Sequence, residues 1–386
     1  MKKLMRTLSI LLIAILLTTS TTGCWNRREI EKLNFVLGAG IDTHPQGLLL
    51  STQVANPKAL GAKGGGDQPT FFTFTATGQT VFDAIRKSTH ASQFKLFWAH
   101  TKVIIFSEEM ARKGVLPPLE YFSRDAETRR NFLIAVTPGR AEEILKMNVQ
   151  TEKVPILSLL EILELYTATS TSPKVNVNDF LRTYHTSQSV MVPTVLKVHN
   201  QGTKVNYYLK GSSVFKKDRF VAYFTPIETR GVFWVRGDVK STILVTNCLQ
   251  ANEKEKLQKV SFEVFSSSAE TKAEKKNGKI TITVKIKEAG NIAGSTCTKN
   301  ETDKGVLKKL EELKAKKIKG EVNAALKAAK KHKTDVFGFG EAIHRAYPKE
   351  WKAMEKDWPN LFTRIPITIE VDSKITAGAL IQRQSK

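Results

Sequence analysis

Residues 259–290, KVSFEVFSSSAETKAEKKNGKITITVKIKEAG, decide the fold class. Two runs that alternate apolar and polar residues flank a polar segment, and that period of two marks half-buried strands. Asn277-Gly278 lies in the polar segment and tolerates positive φ at both central turn positions, so the runs predict a β-hairpin. Its buried face is expected to carry Phe262, Val264, Ile280, Ile282, Val284 and Ile286. A sheet with one apolar face needs a cover. The next segment, 303–333, DKGVLKKLEELKAKKIKGEVNAALKAAKKHK, offers one. Leu307, Leu310, Leu313, Ile318, Val322 and Leu326 recur at three- to five-residue steps, which predicts a long amphipathic helix. Eleven lysines fall between 304 and 333 and are expected on the opposite face. That face reads either as a solvated side of a packed helix or as a membrane-surface helix drawn to acidic lipid. The packed reading is preferred because the sheet requires it, and the two are compatible because they use different faces.

Upstream, short strands and helices alternate. FVLGAGID (35–42), LLLSTQVAN (48–56), TFFTFTATG (70–78), HTKVIIFSEE (100–109) and NFLIAVTPG (131–139) read as strands. QTVFDAIRKSTHAS (79–92), PLEYFSRDAETRR (118–130) and a stretch near 152–166 read as helices. GAKGGGDQP (61–69) and TATSTSPKVNVN (167–178) have loop composition. Beyond 190 the chain reads increasingly β: 192–202, 204–215, 219–224, GVFWVRG at 231–237 and STILVTN at 241–247 all look like strands. The fold class is therefore α+β, with mixed β-sheets flanked by helices in two to three domains. The divisions are 1–23 as a leader, 24–195 as N-terminal α/β and 196–386 as C-terminal α+β.

The leader sets the address. Lys2, Lys3 and Arg6 precede an apolar run from Leu8 to Leu17, and small or polar residues from Thr18 to Gly23 follow. This is the anatomy of a secretory signal, and the run is too short to span a bilayer. Gly23-Cys24 sits where bacterial lipoproteins are cleaved, in resemblance to the lipobox pattern, with Thr21 standing where leucine is usual. Cys24 is thus the expected lipidation site. Two acyl chains, at about 0.8 kcal/mol per buried CH₂, anchor stably where one is marginal. The formal charge of +23 favours an anionic membrane surface, with roughly 1 kcal/mol per nearby Lys or Arg. Nucleic acid is set aside, because the chain is addressed outside the cytoplasm and its lysines do not interleave with aromatics. Cys248 and Cys297 could pair or remain buried thiols, and sequence leaves both open.

No local pattern carries catalysis. GFGE (338–341) lacks the third glycine of a dinucleotide fingerprint, and a turn into a helix explains both glycines. There is no phosphate-cradling loop ending in Gly-Lys-Ser/Thr and no Gly-x-Ser-x-Gly elbow. The seven histidines (44, 90, 100, 185, 199, 332 and 344) show no metal-ligand spacing. His100 is read as structural, while Glu108-Glu109 and Glu311-Glu312 are read as solvated charge. No enzyme, cofactor or metal is expected.

Several segments in order resemble the Ger(x)C family, the lipoprotein C subunits of nutrient germinant receptors in spore-forming bacteria. They are GCWNRREIEKLNFVLGAGID (23–42), GQTVFDAIRKSTHASQFKLFWAHTKVIIFSEEMARKGV (78–115) and SRDAETRRNFLIAVTPGRAEEIL (123–145). In the second half come LKGSSVFKKDRFVAYFTPIETRGVFWVRG (209–237), TDVFGFGEAIHRAYPKEWKAMEKDWPNLF (334–362) and IPITIEVDSKITAGAL (365–380). The resemblance implies a non-enzymatic receptor component on the outer face of the spore inner membrane. Its implied partners are the integral-membrane A and B subunits. Phe337, Phe339, Ile343, Trp351 and Trp358 would form a hydrophobic seam, with Pro348 and Pro359 interrupting its helix. Core packing is the plain reading of that seam, and partner docking through Trp351 and Trp358 is the sharper one. A transporter's solute-binding lipoprotein and, further off, an envelope hydrolase would share the address.

Overall fold

A computed structural model describes residues 2–20, 32–56, 59, 68–149, 152–186, 188–199, 205–249, 258–297 and 304–376. Residues Lys2–Ser20 form α1, which is exposed through Leu12. Then β1 (Leu33–His44), β2 (Gly47–Ala55) and β3 (Phe71–Gly78) make an antiparallel meander. Next come α2 (Val81–Ser88), β4 (Lys95–Phe97), β5 (Val103–Ser107), α3 (Glu108–Lys113), α4 (Leu116–Arg124) and β6 (Leu133–Thr137). They are followed by α5 (Ala141–Leu145), α6 (Pro155–Glu164), α7 (Tyr166–Thr169) and α8 (Val177–Tyr184). The strands β7 (Val190–His199), β8 (Val205–Lys216) and β9 (Arg219–Phe224) complete one mixed sheet of nine described strands. Its order is β3-β2-β1-β5-β6-β7-β8-β9, with β4 beside the start of β1.

Helices cover both faces of that sheet. Val36, Ile41, Ile104 and Phe106 point to one core with Leu119 and Phe122 of α4 and Phe180 of α8. Val103, Ile105 and Ala135 point to the other core with Ile144 of α5 and Ile156 and Leu159 of α6. Two-sided burial explains why β5 and β6 read as unbroken apolar runs instead of alternating.

The second unit opens on a helix. Residues 231–237, expected as a strand, lie in helix α9 (Pro226–Arg236) and its cap. Thr225 accepts from the Glu228 N–H, while the Glu228 carboxylate accepts from the Thr225 N–H, forming a capping box. Pro226 occupies the first turn, and Gly237 closes the helix at φ 72°. The helix reads as apolar in continuous runs because it is buried between the sheets' cores and its neighbour, so its period does not show.

Next are β10 (Thr242–Asn247), β11 (Lys259–Lys276), β12 (Lys279–Ser295), α10 (Lys304–His332), α11 (Phe339–Ala346), α12 (Pro348–Met354), α13 (Trp358–Arg364) and β13 (Ile367–Ile375). The hairpin turns at Asn277 (φ 50°) and Gly278 (φ 77°). Phe262, Val264, Ile282, Val284 and Ile286 are buried as expected, and Ile280 is half-buried. The polar segment before the turn is itself strand, because β12 satisfies its backbone out to the Lys276–Lys279 pair. β13 adds in parallel along β12, giving the order β10-β11-β12-β13. Helix α10 covers the apolar face with Leu310, Ile318, Val322 and Leu326. Lys314, expected with the other lysines on the solvent face, instead lies on the packed side of α10 and is fully buried. A disulfide joins Cys248, just after β10, to Cys297, just after β12, with a Cα–Cα distance of 5.7 Å.

The strands after residue 190 do not open the second sheet. β7–β9 extend the first, joined to β6 at Val136–Thr194, so a division near 195 falls inside that sheet. Met191, Val214, Ala222 and Phe224 from these strands pack into the core shared with α9 and α10.

Candidate functional site

The two units meet around the TDVFGFGE segment, where Asp335 is buried. Its Oδ1 accepts from the N–H groups of Phe337 (3.2 Å), Gly338 (2.9 Å) and Phe339 (3.1 Å). Its Oδ2 accepts from the Gly340 N–H at 2.7 Å and the Trp358 indole N–H at 3.1 Å. Gly338 stands at φ 82°, the left-handed region that the turn into α11 requires. The N–H groups that could cradle a phosphate at this helix start are therefore committed to an internal carboxylate. Burial pushes the Asp335 carboxyl above its usual range, and the bonds from Gly340 and Phe339 pull against that.

The same segment binds the first sheet. The Ser189 N–H donates to the Asp335 carbonyl at 2.9 Å, and the Gln188 side chain donates to the Val336 carbonyl at 3.3 Å. Arg236, at the end of α9, also donates to the Val336 carbonyl. Burial lowers the Arg236 pKa, while Asp238 and Asp335 oppose the shift. A second stitch runs through Ser170, which donates to the Ser241 carbonyl at 2.9 Å and accepts from the Lys240 N–H at 3.2 Å. Ser212 and Thr229 make a third, buried, at 2.9 Å between β8 and α9.

Two ionic clusters fix α10. Arg230 grips Glu321 through two bonds of 2.8 and 2.5 Å, and the Trp234 indole donates to the same carboxylate at 2.9 Å. Gly231 makes this crossing possible, since a Cβ there would meet the Glu321 carbonyl oxygen at 2.2 Å. Lys314 Nζ lies 3.1 Å from Glu288 and donates to the Lys374 carbonyl at 2.8 Å. Burial lowers the Lys314 pKa and raises that of Glu288, each opposed by the other's charge. Sequence missed these pairs. The available signal was a lone lysine on the apolar stripe of α10.

Cys24 lies outside the described residues. Trp351 and Trp358 are 4% and 2% exposed, in the core cluster, with rings 5.3 Å apart. Direct docking would need indole surface that is instead spent inside. Pro348 and Pro359 sit in the first turns of α12 and α13, where proline fits. His100 is exposed with its ring against Phe35, 5.3 Å between centroids. Glu108 is more than solvated charge, since it accepts from Arg112 and from the Tyr223 hydroxyl at 2.6 Å. Glu311 likewise accepts from the Ile375 N–H at 2.9 Å. Among the described residues no group of three or more His, Cys, Asp or Glu is placed to hold a metal.

This architecture is a two-unit α+β protein joined through a buried polar seam. Two family models match in order along it: the spore germination protein N-terminal domain over residues 26–197, and the spore germination B3/GerAC-like C-terminal domain over 210–378. The chain belongs to the Ger(x)C family of spore germination proteins. Spore germination protein KC of Bacillus subtilis (strain 168) is 26% identical over 96% of each chain. Spore germination protein A3 of the same organism is 27% identical over 90% of this chain and 91% of its own. A crystal structure of the GerBC protein shares the fold, with a TM-score of 0.57 and 19% identity over 90% of this chain and 99% of that one.

Proposed function

We propose that this chain is the lipid-anchored C subunit of a spore nutrient germinant receptor. In this reading it acts with integral-membrane A and B subunits, by scaffolding or signal transmission and without catalysis. The observation that carries the proposal is the colinear match of both family domains across residues 26–197 and 210–378. Relatives that are spore germination proteins in their own right cover nearly the whole chain and support it. Among the described residues no helix is long and apolar enough to cross a membrane, so the proposal places attachment at Cys24, aided by the basic charge. A membrane tether holds the subunit near its partners and makes assembly nearly intramolecular.

Cys24→Ala in the native host tests this. The expected result is release of the chain from the membrane fraction together with slowed nutrient germination. Normal germination with the mutant retained in membranes would overturn the anchored-subunit reading. Calorimetry with amino acids and sugars separates the competing solute-binding role, since a micromolar ligand for the isolated full chain would favour it.

A further inference from the structure

The solvent side of α10 holds a cleft of about 460 Å³ lined by Ile227, Asn247, Cys248, Leu313, Lys316, Lys317, Gly320 and Glu321. Its apolar wall is Ile227, Leu313 and the disulfide half-cystine. Glu321 brings no free charge, because Arg230 and Trp234 already hold its carboxylate. Lys316 and Lys317 have no acidic partner among the described residues, so the cleft is cationic.

Gly320 is the unexpected member. Glycine inside a helix is costly, and elsewhere in this unit it is justified: Gly231 admits the backbone of α10. A Cβ at Gly320 would meet nothing within 4 Å. Packing therefore does not require glycine there, and what its missing side chain provides is room in the cleft. Along the helix, Lys309, Leu313, Lys316 and Gly320 follow three- and four-residue steps, and Lys327 and Lys331 continue the same face two turns further on. From Lys309 to Lys331 this row runs about 33 Å. Exposed Glu312 is the acid bordering the row, and the Glu311 carboxylate is taken by the Ile375 N–H. A straight row of cations with one apolar-walled notch fits an extended anionic surface better than a point ligand.

We propose that this face of α10 lies on the membrane and that the Gly320 cleft seats the phosphate-bearing headgroup of an acidic phospholipid. Lys316 and Lys317 would meet the phosphate, and Ile227 and Leu313 would meet the adjoining glyceryl and acyl carbons. The inference rests on the membrane reading above and assigns the contact surface within it.

Amine-reactive labelling of the full chain, reconstituted in vesicles of phosphatidylcholine with or without phosphatidylglycerol, decides the matter. On acidic vesicles Lys316 and Lys317 should label roughly tenfold more slowly, while Lys87 on α2 labels alike on both. Gly320→Leu, which fills the cleft with a strong helix former and removes no charge, should abolish the protection while the fold persists. Equal labelling on the two vesicles overturns the proposal. So does protection shared by Lys87, or protection that survives Gly320→Leu. Soluble glycerol phosphate without vesicles is the second arm; protection by it alone would assign the cleft to a free phosphate ester and overturn the membrane assignment. Because the comparison is between lipids for a chain already reconstituted, its failure removes the cleft alone. Fractionation of Cys24→Ala bears on the anchor alone.

Discussion

Asp335 gathers four backbone N–H groups and an indole N–H, so truncating it orphans several buried donors at once. Each unsatisfied buried donor costs about 1–3 kcal/mol. Asp335→Ala is therefore expected to lower unfolding free energy by at least about 3 kcal/mol, with Asp335→Asn milder, read from denaturant midpoints. Sequence showed the glycines that shape this turn but not the acceptor they serve, because the Trp358 donor enters from 23 residues away. Charge at the opposite unit gives a pH test. Glu142, hydrogen-bonded by Lys146 and flanked by Arg140, is held below its ordinary value of 4.5. Its folded pKa lies below the unfolded one, so its stabilisation is present above that ordinary value and lost as pH falls through the folded value. Glu142→Gln should cost under about 1 kcal/mol at neutral pH and nothing in strong acid. A gap that is constant with pH would refute the ionic origin.

Helix α10 contains one glycine that packs on nothing, and helix α9 contains one that packs on a backbone, and alanine should distinguish them. Gly320→Ala is expected to raise stability by up to about 1 kcal/mol, since open space receives the methyl. Gly231→Ala should lower it by about 1–3 kcal/mol despite better helix propensity, because its Cβ would meet the Glu321 oxygen. Thermal melts of the two variants shifting in the same direction would contradict this account. These elements also show what was legible. The β11–β12 hairpin and α10 were readable because each has one wet face, which prints its period into the sequence. Helix α9 was not, because nearly all of its central turns are buried: Gly231, Val232, Phe233, Trp234 and Val235 form a continuous buried run. Thr225-Pro226 and Glu228 at its start, with Gly237 at its end, were the signals that outweigh such a run.

Across the whole molecule, order depends on contacts distant in sequence, and these were the least legible. No local pattern told that β7 would reach β6 at Val136–Thr194, or that Cys248 and Cys297 would close a 49-residue separation. Cross-linking such a span stabilises by about 4 kcal/mol in the chain-entropy account. Replacing both cysteines with alanine should lower the unfolding midpoint accordingly, and reductant should then have no further effect on the double variant. An equal response of variant and wild type to reductant would sink that assignment. The parallel pairing of β13 with β12 carries one more consequence, for the order in which the protein is made. Until residues 367–375 emerge, β12 from Ile282 to Gly290 is an open edge, and Glu288 lacks the Ser373 hydroxyl that completes its setting beside Lys314. Synthesis therefore runs through a window, from the hairpin to β13, in which the long unpaired backbone edge of β12 waits for a partner. The C-terminal sheet is finished only once residues 367–375 have arrived.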